Sequence, residues 1–248
     1  MELTQLVDYL DSYLRSKEIE DSSLNGLQVE AGREVTKVAL VVDCSIPAFE
    51  KARNNGAELI IAHHGLIWDK APITGPMYRR VKFLIENQMG LYAAHLPLDM
   101  HPEVGNNAQL ARLGGLRNPS AFARHRGSDI GYIGELPGIP LGELLLRLQA
   151  GLGAQPRVFS FGPDRISFLA LCSGRADRDL KEAIEKGADT YLTGETSHEA
   201  VSLARDAGVN LIFGGHYATE TLGLKALGSH IHDTFGLEVV FIDEPTGL

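Results

Sequence analysis

The sequence predicts an α/β protein made of two interleaved βαβ-type repeats with mostly parallel strands. Three observations support this class. Short apolar runs rich in β-branched residues alternate with helix-length segments, the helix segments end at glycine, and the same order of elements occurs twice. Parallel strands require crossover connections, and those connections are right-handed. We therefore expect parallel strands with helices packed across them.

The first repeat is predicted over residues 36–115. Its first strand covers 37–43, a short β-branched run that is typical of a buried strand. A helix over 47–55 follows; it begins at a proline, which suits a first helical position, and Gly56 ends it. The second strand, 58–62, leads directly into two adjacent histidines. A further helix and strand complete the repeat.

The second repeat is predicted over residues 165–248 and follows the same order. A strand over 166–172 precedes a helix over 177–186, Gly187 ends that helix, and a strand over 189–192 comes next. A further helix and strand follow, as in the first repeat. The alignment of the two repeats on their helix-ending glycines places His63 and His64 opposite Gly194 and Glu195.

The domain organisation expected from these repeats is a single unit over residues 1–248. A chain of this length can bury a sizeable core. The segment 116–164 is predicted as a connector, and it includes a clear helix over 141–152. It acts either as a connector or as a subunit contact. The amino-terminal segment has helical spacing of apolar residues, which predicts a helix packed on the core. Those residues are Leu3, Leu6, Val7, Leu10 and Leu14.

Composition narrows the classes of function. The chain has 32 acidic and 23 basic residues, a formal net charge of −9, which disfavours nonspecific binding to nucleic acid or anionic membranes. No apolar run approaches the roughly 18 residues of a membrane span, and no signal peptide is apparent, so we expect a cytoplasmic protein without a membrane partner. Cys44 and Cys172 lie in apolar, strand-like segments and are expected to be buried reduced thiols.

Histidines and carboxylates follow three of the predicted strands. In open α/β sheets the carboxyl ends of strands are where ligands bind. The alignment of the repeats also makes two of the segments equivalent, because each has a histidine with a carboxylate four residues later. The three groups are His63 with His64, His95 with Asp99, and His216 with Glu220.

These residue types suit a transition-metal site. Imidazoles with carboxylates and no thiolate favour zinc, iron, manganese, nickel or cobalt, and they do not fit an all-oxygen calcium site. Two metals about 3.5–4 Å apart usually share a bridging carboxylate and activate water near neutral pH. Asp99 or Glu220 can supply that bridge. His63 and His64, in a loop just past their strand, can diverge to two metals.

A lone buried histidine is more often a hydrogen-bonded core residue than a ligand, and we assign that role to His125 and His230. A set of five ligand-type residues at equivalent strand ends favours a metal site instead. Those residues are His63, His64, Asp99, His216 and Glu220.

Other polar residues near these strand ends keep two interpretations each. His95 is a hydrogen-bonding partner of the ligands or a proton-transfer group. Glu195 and His198 face the same strand ends, but Glu195 also suits the first turn of a helix as a charge that complements its dipole. Asn106 and Asn107 can approach the site, and we predict that they instead cap a helix over 108–113. The dipole role of Glu195 and the capping role of Asn106 and Asn107 are predictions about local helix geometry.

Several motifs together resemble one known family, the Nif-three-like dinuclear metal-centre proteins, which are also named GTP cyclohydrolase I type 2 homologues. The resemblance covers nearly the whole chain. It implies a two-metal site with the five ligands just named, and a ring-shaped homohexamer built from trimers or dimers. The short segment between the repeats resembles the short form of the family, without an inserted domain. The motifs are Asn25-Gly26-Leu27-Gln28-Val29, Ala62-His63-His64-Gly65, His95-Leu96-Pro97-Leu98-Asp99 with Gly105-Asn106-Asn107, Thr193-Gly194-Glu195, and Gly215-His216 through Thr219-Glu220.

The function that this pattern predicts is hydrolysis by water activated on two divalent metals per chain, with zinc, iron, manganese or nickel as candidates. His95 and Glu195 are the candidate catalytic residues for proton transfer. The family name points to the purine ring of GTP, although no phosphate-binding glycine motif is present, so a phosphoester or another heterocycle remains open as the small-molecule substrate. The alternative is a metal-binding interaction, regulatory or metal-handling protein without turnover.

Overall fold

The computed structural model describes residues 1–30, 32 and 34–247. It is a mixed α/β protein with two sheets, which confirms the predicted class. Leu248, the last residue of the predicted second repeat, lies outside the described residues. In chain order the elements are α1 (Leu3–Leu14), β1 (Gly26–Val29), β2 (Lys37–Asp43), α2 (Ile46–Asn54), β3 (Leu59–His64), α3 (Gly75–Glu86), β4 (Gly90–Ala93), α4 (Leu96–Met100), α5 (Asn106–Gly114), β5 (Arg117–His125), β6 (Ser128–Pro140), α6 (Leu141–Leu152), β7 (Arg157–Phe159), β8 (Arg165–Cys172), α7 (Leu180–Glu185), β9 (Thr190–Thr193), α8 (His198–Ala207), β10 (Asn210–Phe213), α9 (His216–Phe235) and β11 (Glu238–Phe241).

The chain divides into two compact units. Of the described residues, the first comprises those within 1–98 and 224–244, and the second comprises 99–223 and 245–247. Among the described residues, no helix is both long enough and apolar enough to cross a membrane.

The first unit contains a five-stranded sheet in the order β1-β4-β3-β2-β11. Strands β4, β3, β2 and β11 pair in parallel, and only the β1–β4 pair is antiparallel. The central strands are apolar on both faces, as the sequence predicts for strands covered by helices. Ser45 caps α2 by accepting a hydrogen bond from Ala48 N at 3.2 Å. The apolar face of α1 is buried through Leu3, Leu6, Leu10 and Leu14, as predicted.

The second unit contains a six-stranded sheet in the order β5-β6-β8-β9-β10-β7. Its centre, β8-β9-β10, is parallel, and the outer pairs are antiparallel. The segment 116–164, predicted as a connector, supplies β5, β6 and β7 to this sheet. Its predicted helix is found as α6, and Leu144, Leu148 and Leu152 of that helix are buried in the core.

The two sheets share a common strand register. In the first sheet Val38 pairs with Leu59, and in the second Leu169 pairs with Thr190. Both members of the second pair lie 131 residues beyond their counterparts in the first. This is the same shift that aligns Gly56 with Gly187 in the sequence. The strand pairing therefore follows the internal repeat that was read from the glycines.

The cysteines are where the sequence predicts them to be. Cys44 and Cys172 are free thiols, and both are buried. Burial raises the pKa of each thiol well above its usual value, so neither is a ready thiolate at neutral pH.

The turn that precedes α7 carries a carboxylate in an unfavourable environment. Burial, with the negative charges of Glu182 and Asp177, raises the pKa of Asp179 to about 6 from 3.8. Below about pH 4 the group is neutral in both states, and above about pH 6 the folded state bears the cost of ionising it. Stability therefore falls as the pH rises through this window.

Asp179→Asn should remove that penalty. Because the side chain is only half-buried, we expect a gain of about 1–2 kcal/mol in the free energy of unfolding at pH 7, and no gain near pH 3.5. Urea unfolding at both pH values measures it. The exposed Asp206→Asn is the control, and an equal gain at both pH values in the Asp179 variant would contradict the assignment.

Candidate functional site

Three histidines lie together at one end of the sheet in the first unit. His63 and His64 are the last two residues of β3, and His95 follows β4. The ring centroids are 4.8 Å apart for His63 and His64, 5.1 Å for His63 and His95, and 5.6 Å for His64 and His95. One potential ligand nitrogen from each ring lies within 4.8 Å of the others. We call these three residues the histidine group.

Each ring of the histidine group is held through its Nδ1 atom. His63 Nδ1 is 2.9 Å from Ala94 O, and His64 Nδ1 is 2.8 Å from Asp43 Oδ1. His95 Nδ1 is 3.0 Å from both carboxylate oxygens of Asp21.

A carbonyl or carboxylate oxygen only accepts a hydrogen bond, so all three contacts place the proton on Nδ1. The tautomer thus fixed carries its lone pair on Nε2. Metal-ligating histidines usually donate their other ring N–H to such an oxygen, which sets the ring orientation and raises ligand basicity. The histidine group therefore has the hydrogen bonding expected of metal ligands.

Asp21 is a buried carboxylate that the sequence analysis missed. Its side chain is 2% exposed, against 39% for that of Asp43. Burial alone would favour its neutral form, but hydrogen bonds and charge from His95, and hydrogen bonds from Asn25 and Leu96, hold its pKa well below the usual range. Asp21 is therefore ionised beside His95.

The Asn-Gly-Leu-Gln motif supports the histidine group. Asn25 Nδ2 donates to Asp21 Oδ2 at 2.9 Å, and Asn25 Oδ1 accepts from His95 N at 2.8 Å. Gln28 Oε1 accepts from Leu66 N at 2.7 Å and so holds the loop after β3. This motif was noted only through the family resemblance, and its role is to position other residues.

In the second unit, Asp99 is buried in a polar network. Its Oδ1 accepts hydrogen bonds from Asn106 Nδ2 at 2.9 Å and from Ser173 Oγ at 3.0 Å. Asn106 Oδ1 in turn accepts from Gly223 N at 2.7 Å. Asn107 Oδ1 accepts from Ser173 N at 2.7 Å. Asn106 and Ser173 therefore orient the Asp99 carboxylate.

The predicted capping role of Asn106 and Asn107 is wrong. Helix α5 begins at Asn106, its N-cap is Gly105, and no side chain caps it. The two amides form the long-range hydrogen bonds just described instead, because both side chains are fully buried beside Asp99 and Ser173. A buried amide must satisfy its donors and acceptor within the protein.

His216 and Glu220 lie four residues apart at the start of α9, so they share one helix face. His216 Nε2 is 3.1 Å from Glu220 Oε2, and His216 Nδ1 is 2.5 Å from Glu195 Oε1. Burial lowers the pKa of His216, but the hydrogen bonds and charges of Glu220 and Glu195 outweigh it and raise that pKa to about 9. In this state an imidazolium bridges two carboxylates. A divalent cation can take the place of that proton.

Glycines create the space around this group. A Cβ atom on Gly174, where φ is +60°, would lie 2.2 Å from Glu220 Oε1. On Gly194, it would lie 2.6 Å from Gly174 O and 2.8 Å from His216 Cα. Gly194 therefore lets two backbone segments and α9 approach closely.

Gly194→Ala should destabilise the second unit, because backbone atoms on both sides would have to move. We expect a loss of about 1–3 kcal/mol in the free energy of unfolding, the usual cost of overpacking. Gly142→Ala in α6 is the control, since a Cβ there meets nothing within 4 Å. Equal stability of the two variants in urea unfolding would show that the close approach at Gly194 is unimportant.

The sequence-predicted site residues lie at the end of β3, in the loops after β4 and β9, in α4 and at the start of α9, and one detail differs. His63 and His64 were expected in a loop just past the strand, but both are strand residues. The site residues that sequence reasoning missed are Asp21, Asp43 and Ser173. Asp43 ends a predicted strand next to the one that ends at His64, and that position was the available signal. Asp21 and Ser173 gave no comparable signal.

These residues fit divalent metals. The histidine group offers imidazoles with hydrogen-bonded Nδ1 atoms, and the second unit offers an imidazole with buried carboxylates. This donor set suits zinc, iron, manganese or nickel and excludes a calcium-type oxygen site. The prediction of a hydrogen-bonded core histidine is wrong for His125, because that residue is exposed on β5. His230 is half-buried, and its Nε2 lies 2.6 Å from Tyr9 Oη.

The fold and these side chains define an α/β protein with candidate histidine and carboxylate metal-binding groups. The family model of Duf34/NIF3 (NGG1p interacting factor 3) matches residues 1–247, and the chain belongs to this family.

Three relatives match over the whole length of both chains. A GTP cyclohydrolase 1 type 2 homolog from Pyrococcus abyssi is 43% identical, with all of both chains covered. The crystal structure of TTHA1606 from Thermus thermophilus is 41% identical with a TM-score of 0.90, and both chains are covered completely. The structure of protein ybgI, described as of unknown function, is 35% identical with a TM-score of 0.92 and the same full coverage.

Proposed function

We propose that this protein is a hydrolase that depends on two divalent metal ions per chain. The observation that carries the proposal is the histidine group, in which every Nδ1 is bound to an oxygen acceptor. A packing role for a single histidine does not explain three adjacent imidazoles. Three imidazoles with hydrogen-bonded Nδ1 atoms are suited to binding a cation. The membership of the family and the chemistry of the second unit support the same assignment.

We assign five residues as ligands. They are His63, His64, Asp99, His216 and Glu220, the set that the family resemblance implies. Bound metals of this kind polarise a substrate oxygen and activate water near neutral pH. The protein's own part is to present the donor atoms: Ala94 O and Asp43 orient the two imidazoles, and Asn106 and Ser173 orient Asp99.

His95 and Glu195 are the proposed proton-transfer residues. Asp21, buried and ionised, orients His95 and stabilises the imidazolium that forms when His95 accepts a proton, which is the role of the carboxylate in catalytic triads. Glu195 contacts His216 Nδ1 and lines a cavity of about 590 Å³ in the second unit. His95 also belongs to the histidine group, so metal content of its variants distinguishes a ligand from a proton-transfer group.

The reaction is proposed to be GTP cyclohydrolase-like hydrolysis of a purine nucleotide, after the names of the relatives. Opening the purine imidazole ring needs water added to a ring carbon and protons delivered to nitrogen, which matches activated water with an adjacent acid–base residue. A second candidate is a metal-dependent interaction protein without turnover, which the family description as an NGG1p interacting factor favours.

Metal analysis with a hydrolysis screen tests the proposal. Protein purified without chelator, or reconstituted with zinc, manganese, iron or nickel, should contain close to two metals per chain. The metal-loaded protein is then assayed with GTP, other nucleotides and simple phosphoesters. Metal content near zero after reconstitution would end the proposal, and full metal without turnover would favour the interaction protein.

We also propose a closed, toroidal homohexamer, a dimer of trimers or a trimer of dimers, as the family resemblance implies. Closed symmetric assemblies are the usual form of homo-oligomers. Sedimentation equilibrium should give a mass near six times the chain mass of 26.9 kDa. A monomer at all concentrations would contradict this expectation.

A further inference from the structure

A large cavity lies beside the histidine group in the first unit. Its volume is about 1000 Å³, which is enough for a nucleotide-sized molecule. The segment before β1, the loop after β3 and the start of α3 form its walls. We call it the Trp68 cavity, and its lining includes Leu24, Trp68, Ile73, Lys70 and Arg80.

Trp68 links the cavity to the histidine group. Its ring meets the His95 ring edge-on, with centroids 4.9 Å apart and an interplanar angle of 71°. Trp68 Nε1 donates to Gly65 O at 2.8 Å, which fixes the orientation of the indole. The side chain remains 37% exposed, so part of the ring is open to a ligand.

The walls beside Trp68 are also apolar. Leu24 is 52% exposed and Ile73 is 56% exposed, and both line the same cavity. Exposed large apolar side chains grouped around an aromatic ring are typical of a binding surface. A planar ring would bury all three side chains from water.

Arg80 gives the cavity a positive group. It is half-buried on α3 and lines the cavity, and it makes no ion pair with any carboxylate of the described part of the chain. The exposed Lys70 lies at the same cavity. Two carboxylates also line the cavity: Asp21, whose side chain is buried, is bound to His95, and Asp69 is exposed. A guanidinium without a carboxylate partner is suited to a phosphate or a carboxylate.

We propose that the Trp68 cavity binds the substrate, and that this substrate is a planar heteroaromatic ring with an anionic group. The ring packs against Trp68, Leu24 and Ile73, and the anion binds Arg80. Because Trp68 contacts His95, the bound ring lies next to the histidine group. This inference rests on the proposed function, since it identifies the substrate class of the same site.

Fluorescence titration of Trp68, the single tryptophan of the chain, tests the proposal. The probes are guanosine monophosphate, uridine monophosphate and orotate, each compared with its neutral counterpart guanosine, uridine or uracil. The full chain is titrated in metal-loaded and metal-free form, with correction for absorbance by the probe. At least one anion should quench Trp68 saturably, with an affinity about 10-fold or more above that of its neutral counterpart. Absence of saturable quenching by all three anions in both forms would overturn the proposal.

Two adjacent arginines supply the matched variants. Arg80→Gln should weaken binding of the anion about 10-fold and leave the neutral counterpart unchanged. Arg79→Gln, at an exposed position outside the lining, should change neither. Equal effects of the two substitutions would overturn the assignment of the anion site. In calorimetry, Trp68→Leu should weaken the anion and its neutral counterpart alike, by about 5–100-fold; unchanged affinity in this variant would exclude ring packing.

Metal content of the same samples separates this inference from the proposed function. Probe binding with two metals bound supports both. Probe binding without any metal uptake would contradict the proposed hydrolase function and still support the cavity assignment. Full metal content without probe binding would contradict only the cavity assignment.

Discussion

Replacing His63 with alanine is expected to abolish tight binding of at least one of the two divalent metals. His63 is fully buried, and its Nδ1 is held by Ala94 O, so no neighbouring side chain can take over its position without rearrangement. Loss of a partner that merely orients a ligand typically costs 10–100-fold in metal affinity, so loss of the ligand itself should cost about 100-fold or more. Elemental analysis after dialysis measures the change.

The same variant should lose metal-dependent stability. Metal at about 1,000-fold above its dissociation constant stabilises the wild type by about 4 kcal/mol per site, or roughly 8–16 °C in Tm. The relevant quantity is the difference in Tm with and without chelator, because it cancels the packing cost of removing a buried ring. His125→Ala, at an exposed position on β5, is the control and should keep the full difference. If His63→Ala also keeps the full difference in Tm with and without chelator, His63 is not a ligand.

Replacing His95 with alanine is expected to lower turnover by about 10²–10⁴-fold while both metals remain bound. That is the usual contribution of a general acid–base residue. Metal content must be measured beside the rate of the best substrate from the screen. A loss of metal in this variant would make His95 a ligand, and wild-type activity would remove it from the mechanism.

Asp21→Asn is a second test of the acid–base role of His95. The amide keeps the size of the side chain but removes the charge that stabilises an imidazolium at His95. Turnover should fall, and the pH at which activity begins to fall on the acidic side should move lower. Asp8→Asn, at an exposed position on α1, is the control. A lower rate with an unchanged pH profile would indicate only a loss of structure around Asp21.

The sequence predicted the three parallel strands of each repeat, because parallel strands buried on both faces consist of short β-branched runs. It did not predict β1, β5, β6, β7 or β11. The bounds of β2 and α6 were predicted without error. Residues 59–64 were harder, because successive side chains of a strand point to opposite faces and the two adjacent histidines were therefore placed in the loop after it. Their Nδ1 hydrogen bonds satisfy the polarity that the pattern could not account for.

The positioning residues of the site were mostly beyond prediction. Asp21 contacts a residue 74 positions away, and Asn106 accepts a hydrogen bond from Gly223 across 117 positions. No local pattern encodes such pairs, and for Asn106 and Asn107 the local helix-capping preference pointed to the wrong partner. The Trp68 cavity depends on the path of an irregular loop, which hydrophobic periodicity does not describe.

The common register of the two sheets identifies equivalent positions at which the two halves carry different residues. A shift of 131 residues places Gly194 opposite His63, and Gly174 opposite Asp43. One half has an imidazole and a carboxylate at these places, and the other has glycine at both. The Glu220 carboxylate and the backbone of α9 occupy the space that side chains at Gly174 and Gly194 would need. Neither half can therefore replace the other. A protein made of two first halves would lack room for the Glu220 carboxylate, and one made of two second halves would lack the imidazoles.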